Sequence, residues 1–299
     1  MDKLLEKFLY FQEVVLNKSF NTVKSYKKDL EQFIEYLKNN EGIEDFNKVE
    51  IFTFRSFIAY LNMELQVNKR SINRKLSAIR TFFKYLLEND HIIENKAVYI
   101  STPKFEKPLP NFLTREDIDK LRSVIKLEKI TGLRDRAIIE LLYSSGLRSM
   151  ELLDLTEYTI DLKNREVRVI GKGNKERISF FSNNAQKYIS EYIERKKKEY
   201  KNYSKDVIFV NKDGNKLDSR SLRRLITSYS IKAGINKEVT PHIFRHSFAT
   251  ELLNQGVDIR FVQELLGHSS IATTQFYTHI SKNTLKDAYM KSHPFATKK

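Results

Sequence analysis

The chain has 299 residues, 40% of them apolar, and its 53 Lys and Arg against 38 Asp and Glu give a net charge of +15. This length favours two domains, and the lack of cysteine excludes disulfides, thiolate metal sites and a cysteine nucleophile. No apolar run approaches the length of a membrane span and the N-terminus has no signal-peptide pattern, so we predict a soluble, cytoplasmic protein.

The positive charge is unevenly distributed along the chain. Residues 1–100 hold 16 basic and 14 acidic side chains, which leaves 37 and 24 for residues 101–299. Such an excess favours a polyanionic partner, and nucleic acid is the commonest one. On charge alone, a solvated surface from a lysine-rich genome remains an alternative.

Residues 1–100 predict an all-helical first domain. Apolar residues recur every three or four positions in four segments, two weaker ones at about 3–16 and 49–65 and two stronger ones ending near Asn40 and Leu86. The last helix also carries a basic face that could follow a phosphate backbone. A merely solvated face is an equal alternative. The residues of this face are Lys69, Arg70, Arg74, Lys75 and Arg80.

Residues 101–112 contain three of the five prolines and predict an interdomain linker. Thr114 then begins a helix with acidic residues in its first turn. The second domain, residues 113–299, is predicted to mix helices and strands. A helix over 135–145 is followed by Arg148, and strands at 166–170 and 177–181 form a hairpin with Lys172 at its tip. Another strand and turn are predicted at 207–215, followed by helices from Ser219 onward.

The C-terminal part gathers residues suited to phosphate chemistry. Thr240 and Pro241 begin a helix on which His242 and Arg245, three apart, share a face. Gly267 ends the next helix, with His268 just beyond it, and Tyr277 follows. Each residue alone has an ordinary structural explanation. Together they offer a guanidinium for phosphate oxygens, imidazoles for proton transfer and a phenol as nucleophile.

Five motifs resemble those of the tyrosine recombinases, or phage integrase family, and most closely the Xer site-specific recombinases. They are SSGLRSMEL around Arg148, VIGKGNKER around Lys172, PHIFRHSFAT around Arg245, LLGHS around His268 and TTQFYTH around Tyr277. The segment Ser71–Tyr85 also resembles the last helix of the family's core-binding domain. The resemblance implies a mainly α fold with a small antiparallel β-sheet. It further implies a SAM-like helical domain and a mixed α/β catalytic domain that form a C-shaped clamp on DNA.

The resemblance also implies a role for each motif residue, with no metal or other cofactor. Tyr277 attacks the scissile phosphate, giving a 3′-phosphotyrosyl link and a free 5′-hydroxyl. Arg148 and Arg245 hold the phosphate oxygens, and Lys172 protonates the departing 5′-oxygen. The remaining matches are His242 and His268, which assist proton transfer and phosphate binding, and Glu151, which supports a histidine or arginine.

The implied partners are a double-stranded DNA site and other recombinase subunits. The family forms a tetramer on two DNA sites, with identical or paralogous subunits, and a DNA translocase of the FtsK type is a further expected partner. The tail from about residue 282 is expected to pack on a neighbouring subunit. Its candidate contacts are Leu285, Ala288, Tyr289 and Met290.

The resemblance implies site-specific recombination, with resolution of chromosome dimers as the expected role. A plasmid or mobile-element integrase or resolvase is the alternative role. A type IB topoisomerase shares the chemistry but not the two-domain Xer pattern. A non-catalytic DNA-binding protein is disfavoured because every catalytic position holds the expected residue type, and a metal nuclease because the motifs lack clustered carboxylates.

Overall fold

The computed structural model describes residues 1–101, 112–171, 176–267, 282–294 and 296. The chain divides into two compact units, Met1–Leu109 and Pro110–Lys299. The linker predicted at 101–112 lies almost entirely outside the described residues. None of the described helices is long and apolar enough to cross a membrane.

The first unit is helical, as predicted. Side chains cap its two longest helices, since Ser19 accepts from the backbone of Thr22 and Asn68 from that of Ser71. Short π and 3₁₀ turns lie at Phe11–Val15, Phe46–Lys48 and Lys96–Tyr99. The α-helices among residues 1–101 are α1 (Asp2–Tyr10), α2 (Phe20–Asn40), α3 (Ile51–Met63) and α4 (Lys69–Glu88).

Aromatic rings fill the core of this unit. Phe33 of α2 stacks on Phe54 with ring centroids 5.6 Å apart and meets Phe57 and Phe83 edge to face. Such pairs stabilise a core beyond their area alone. The apolar stripe predicted on α4 is buried here, which fixes which face of α4 turns inward.

The second unit is built around one buried helix, α6, which packs against α8 and α10. The predicted start at Thr114 is confirmed, because Thr114 and Asp117 form a reciprocal capping box. The helices are α5 (Arg115–Ser123), α6 (Ile130–Ser145), α7 (Ser149–Leu153), α8 (Asn183–Glu199), α9 (Ser219–Lys232), α10 (Pro241–Asn254), α11 (Ile259–Leu266) and α12 (Lys282–Ser292).

A three-stranded antiparallel sheet lies beside these helices, in the order β1 (Ile160–Asp161), β2 (Glu166–Ile170) and β3 (Glu176–Phe180). The predicted hairpin is confirmed, with Ile170 opposite Glu176 at its end. The two-residue strand β1 was not predicted. The strand predicted at 207–210 is wrong, because that segment makes only an isolated bridge from Val210 to Lys216. Ile208, Phe209 and Val210 are all buried, so the run is apolar because it fills the core.

Helix α12 packs on its own unit. Leu285 and Tyr289 are buried in a cluster with Phe180 of β3 and Phe248 of α10. Lys286 of α12 pairs with Glu166 of β2 at 3.0 Å. Helix α12 is therefore fixed to the second unit by both apolar and ionic contacts.

Candidate active site

Arg148 stands where two helices of the second unit meet. Gly146 ends α6 with a left-handed φ of +62°, and a Cβ there would lie 2.5 Å from the ring of Phe248. Arg148 is then the N-cap of α7, where its backbone N–H donates to Glu151 at 2.7 Å. Its guanidinium also donates to Glu151, at 2.7 Å, and its side chain stays 34% exposed. The turn thus presents a restrained but accessible arginine.

Glu151 is the centre of a cluster of three arginines. Arg177 of β3 binds both of its carboxylate oxygens at 2.7 Å, and Arg245 of α10 lies 4.0 Å away. Burial alone opposes ionisation, but the hydrogen bonds from Arg177 and Arg148 outweigh it and lower the pKa of Glu151 to about 2. Three guanidiniums around one carboxylate leave a formal charge of +2.

Arg245 is almost fully buried and held by backbone oxygens. It donates to the carbonyls of Gly146, at 2.7 Å, and Leu266. Burial, together with repulsion from Arg148 and Arg177, lowers the pKa of Arg245 to about 10, so it stays charged at neutral pH. Its planar fork is therefore fixed before any ligand arrives.

The C-terminal end of α11 closes the cluster. Gly267 has a left-handed φ of +63°, and a Cβ there would lie 2.8 Å from Cδ of Arg177. The last three carbonyls accept from three different arginines. Leu265 accepts from Arg177 at 3.0 Å, Leu266 from Arg245, and Gly267 from Arg148 at 3.3 Å. These carbonyls form the negative end of the helix dipole, which suits the cationic cluster.

The structure brings together some of the predicted catalytic residues. Arg148, Glu151 and Arg245 meet in one cluster, although nearly a hundred residues separate the two arginines. His242 is exposed in the first turn of α10, after Pro241 at the first helical position. Thr240 occupies the predicted N-cap, but its side chain makes no capping hydrogen bond. Lys172, His268 and Tyr277 lie outside the described residues.

Arg177 is a member of this cluster that the sequence reasoning missed as a site residue. It belongs to a quoted motif, but nothing in the sequence identified Glu151 as its partner. The available signal was its place at the start of the predicted strand 177–181, and the structure shows its side chain buried. An arginine on the inward face of a predicted strand needs a buried acceptor.

The basic face predicted on α4 is only partly exposed. Lys69 and Arg70 face solvent, and Arg74 is half exposed while it pairs with Asp29. For Lys75 the prediction of a surface cation is wrong, because its ammonium is buried against Asp29 at 2.9 Å. Arg80 is half-buried and donates to the carbonyl of Ile100. Packing of α4 on α2 therefore consumes part of the predicted face.

Comparison with known proteins gives matches to both parts of the chain. The sequence profile of the phage integrase family matches residues 111–284, and that of the phage integrase N-terminal SAM-like domain matches residues 5–90. A tyrosine recombinase XerD of Listeria monocytogenes is 39% identical over 99% of this chain and 100% of its own length. A tyrosine recombinase XerC of Leptospira interrogans is 38% identical over 100% of this chain and 95% of its own.

A solved structure shares the fold. The XerH site-specific recombinase bound to its difH substrate, in a pre-cleavage complex, superposes with a TM-score of 0.67 at 24% identity. The match covers 95% of this chain and 82% of that one.

Proposed function

The chain belongs to the phage integrase family and is a tyrosine site-specific recombinase, and from this premise we propose how its residues cut and rejoin DNA. The phenol oxygen of Tyr277 attacks the scissile phosphorus, and the bond to the 5′-oxygen breaks. Lys172 gives that oxygen a proton, which leaves a 3′-phosphotyrosine and a free 5′-hydroxyl. His242 and His268 assist proton transfer and phosphate binding. Because a phosphotyrosine ester replaces the broken phosphoester bond, the hydroxyl of another strand can attack that ester and release Tyr277 without an external energy source.

The charge of the cluster around Glu151 carries this proposal. A phosphodiester has one negative charge, and a second develops as the nucleophile adds to phosphorus. The +2 of Arg148, Arg177, Arg245 and Glu151 matches that developing charge, and fixed cations stabilise a transition state best where they need no reorganisation. Arg148, which is partly exposed, and Arg245, which is already oriented, are the groups that would hold the oxygens.

The DNA partner is a specific double-stranded site. Lys69, Arg70 and the exposed part of Arg74 would contact its phosphates, since cations on one helix face can follow a DNA backbone. By analogy with relatives named XerC and XerD, the role is resolution of chromosome dimers in the cytoplasm, by a homotetramer or with a paralogous recombinase, under an FtsK-type translocase. Integration or resolution of a plasmid or mobile element is the alternative role.

The tail supports an exchange between subunits. Leu285 and Tyr289 fill an apolar site on their own unit, with Ala288 and Met290 half-buried beside them. In the tetramer the same helix would fill that site on a neighbour, with the Lys286–Glu166 pair setting its register. Truncation after residue 281 should then abolish synapsis while single-site DNA binding remains. Normal synapsis of the truncated chain would refute the exchange.

The central experiment is cleavage of suicide substrates made from candidate sites of the source chromosome. We expect a covalent protein–DNA adduct that maps to Tyr277 and is absent from the Tyr277→Phe variant. Cleavage by that variant would contradict the mechanism. Plain relaxation of supercoiled DNA by a monomer, without paired sites, would instead favour a topoisomerase.

A further inference from the structure

Arg177 differs from Arg148 and Arg245 in how many of its guanidinium nitrogens are hydrogen-bonded to the protein. Two of its nitrogens bind the two oxygens of Glu151 and the third binds the carbonyl of Leu265, so every guanidinium nitrogen has a protein partner. Its side chain is 7% exposed, against 9% for Arg245 and 34% for Arg148, so its third hydrogen bond, and not burial, separates it from Arg245. A group so engaged is poorly placed to bind a phosphate itself.

The location of Arg177 links three parts of the site. It lies on β3 opposite Val169, and Lys172 lies in the sequence between β2 and β3. Through Glu151 it contacts the N-terminus of α7, where Arg148 stands. Through Leu265 it reaches the end of α11, from which the chain continues to His268. One side chain thus fixes the relative positions of the hairpin, α7 and α11.

The bonds between Arg177 and Glu151 also have an electrostatic effect. Each carboxylate oxygen accepts one bond from Arg177 and one from Arg148. With Arg177 absent, Arg148 would be the one guanidinium among the described residues still hydrogen-bonded to Glu151, with Arg245 4.0 Å away, and the cluster would fall from +2 to +1. Arg148 would then be held by the carboxylate at the point where a phosphate has to compete for it.

We propose that Arg177 is a positioning residue: it neutralises Glu151 so that Arg148 can bind the scissile phosphate, and it fixes the end of α11 against the hairpin. This inference rests on the proposed function, since it concerns the same phosphate. It assigns Arg177 no contact with the DNA. Arg177 acts through Glu151 and through the carbonyl of Leu265.

The test is single-turnover cleavage of a suicide substrate at saturating protein, with DNA affinity measured separately. Arg177→Met should slow cleavage roughly 100-fold, as expected for a misplaced catalytic group, while DNA affinity changes little. Arg177→Lys, which keeps the charge but not the three bonds, should lie between Arg177→Met and the wild type. In a Glu151→Gln background the same Arg177→Met change should cost much less, because the uncompensated charge is gone.

A matched control exists within the same unit. Glu140 is also buried and shared by two arginines, with Arg122 on both oxygens at 2.8 and 2.6 Å and Arg136 at 2.8 Å. Arg122→Met therefore removes the corresponding arginine from a carboxylate outside the site. It should lower the melting temperature as Arg177→Met does, but leave the cleavage rate at saturation within about threefold of the wild type.

Two results would overturn the inference. One is equal loss of cleavage by Arg177→Met with and without Glu151→Gln, and the other is equal loss from Arg122→Met. Failure of the proposed function would show differently, as an adduct that persists in Tyr277→Phe. If Tyr277→Phe is inactive while Arg177→Met cleaves normally, the recombinase mechanism stands and only the positioning role fails.

Discussion

Each unit of the chain buries a carboxylate that more than one cation shares, and the clusters around Asp29 and Glu151 differ in the net charge that remains after pairing. Asp29 of α2 is paired with Arg74 and Lys75, neighbours on a single helix. Glu151 is surrounded by arginines from the start of α7, from β3 and from α10. The first cluster joins two helices, whereas the second assembles cations from distant parts of the chain.

Backbone carbonyls add to the difference between the Asp29 and Glu151 clusters. The three arginines near Glu151 also bind the carbonyls at the end of α11, so backbone oxygens help to hold like charges together. A cluster with a charge of +2 and one partly exposed arginine is suited to bind an anion. At Asp29, Arg74 is half exposed, but Lys75 is buried and serves the packing of α4 on α2. Loss of a cation near Glu151 should therefore affect chemistry, whereas loss of Lys75 should affect stability.

The largest expected effect is at Arg245. Arg245→Lys keeps the charge, but a single ammonium cannot hold the carbonyls of Gly146 and Leu266 and still present a fork to phosphate. We expect single-turnover cleavage to fall about 10²–10³-fold, the loss typical of one preorganised transition-state donor. DNA affinity should change far less. Cleavage within tenfold of the wild type would remove Arg245 from the reaction.

In the Asp29 cluster, we expect a mutation to reduce stability and leave cleavage unchanged. Asp29→Ala leaves the buried Lys75 without its carboxylate, which should lower the free energy of unfolding by about 3 kcal/mol. Urea denaturation measures this loss, and cleavage below the transition should stay near normal. Asp2→Ala is the control, since it removes an exposed pair with Lys38 and should cost under about 1 kcal/mol. Equal losses from both variants would mean that burial does not matter here.

These clusters also mark how far sequence reasoning reaches. Periodicity predicted the helices, since apolar spacing reports which face is buried. The motifs placed Arg148, Glu151 and Arg245 in one site. Periodicity could not show that Lys75 meets a buried Asp29, because that depends on the facing helix.

The remaining misses have related causes. The bond between Arg177 and Glu151 joins residues 26 apart on different elements, which one strand pattern does not encode. The strand expected at 207–210 is wrong because a largely buried irregular segment with bends and a buried strand have the same apolar run.

The buried histidine His293 is expected to make the stability of the protein depend on pH. It packs on Tyr289 and Tyr143 and is bonded to the carbonyl of Tyr143 at 3.3 Å; burial, aided by Arg115, lowers its pKa to about 3. The unfolded chain takes up a proton below about pH 6.5, while the folded one stays neutral. The contribution of His293 to stability is therefore fully present above pH 6.5. Below that pH, the free energy of unfolding falls by up to about 1.4 kcal/mol per pH unit.

Thermal unfolding between pH 7.5 and 5 measures this slope. His293→Phe, which keeps an aromatic ring but cannot take up a proton, should unfold with a shallower dependence on pH than the wild type. Parallel curves for the two proteins would show that His293 takes up its proton equally in the folded and the unfolded chain.

The smallest expected effect distinguishes an exposed cation on α4 from a buried one. Arg70 faces solvent and Lys75 is buried, so only Arg70 can displace counterions from DNA. Arg70→Ala should reduce the slope of log affinity against log salt by about 0.9, the contribution of one phosphate contact. Lys75→Met should leave that slope unchanged while lowering stability, because Asp29 then keeps only Arg74. If Lys75→Met changed the slope as much as Arg70→Ala, the pairing with Asp29 would have to open on DNA, and the division between a structural and a functional cluster would no longer hold.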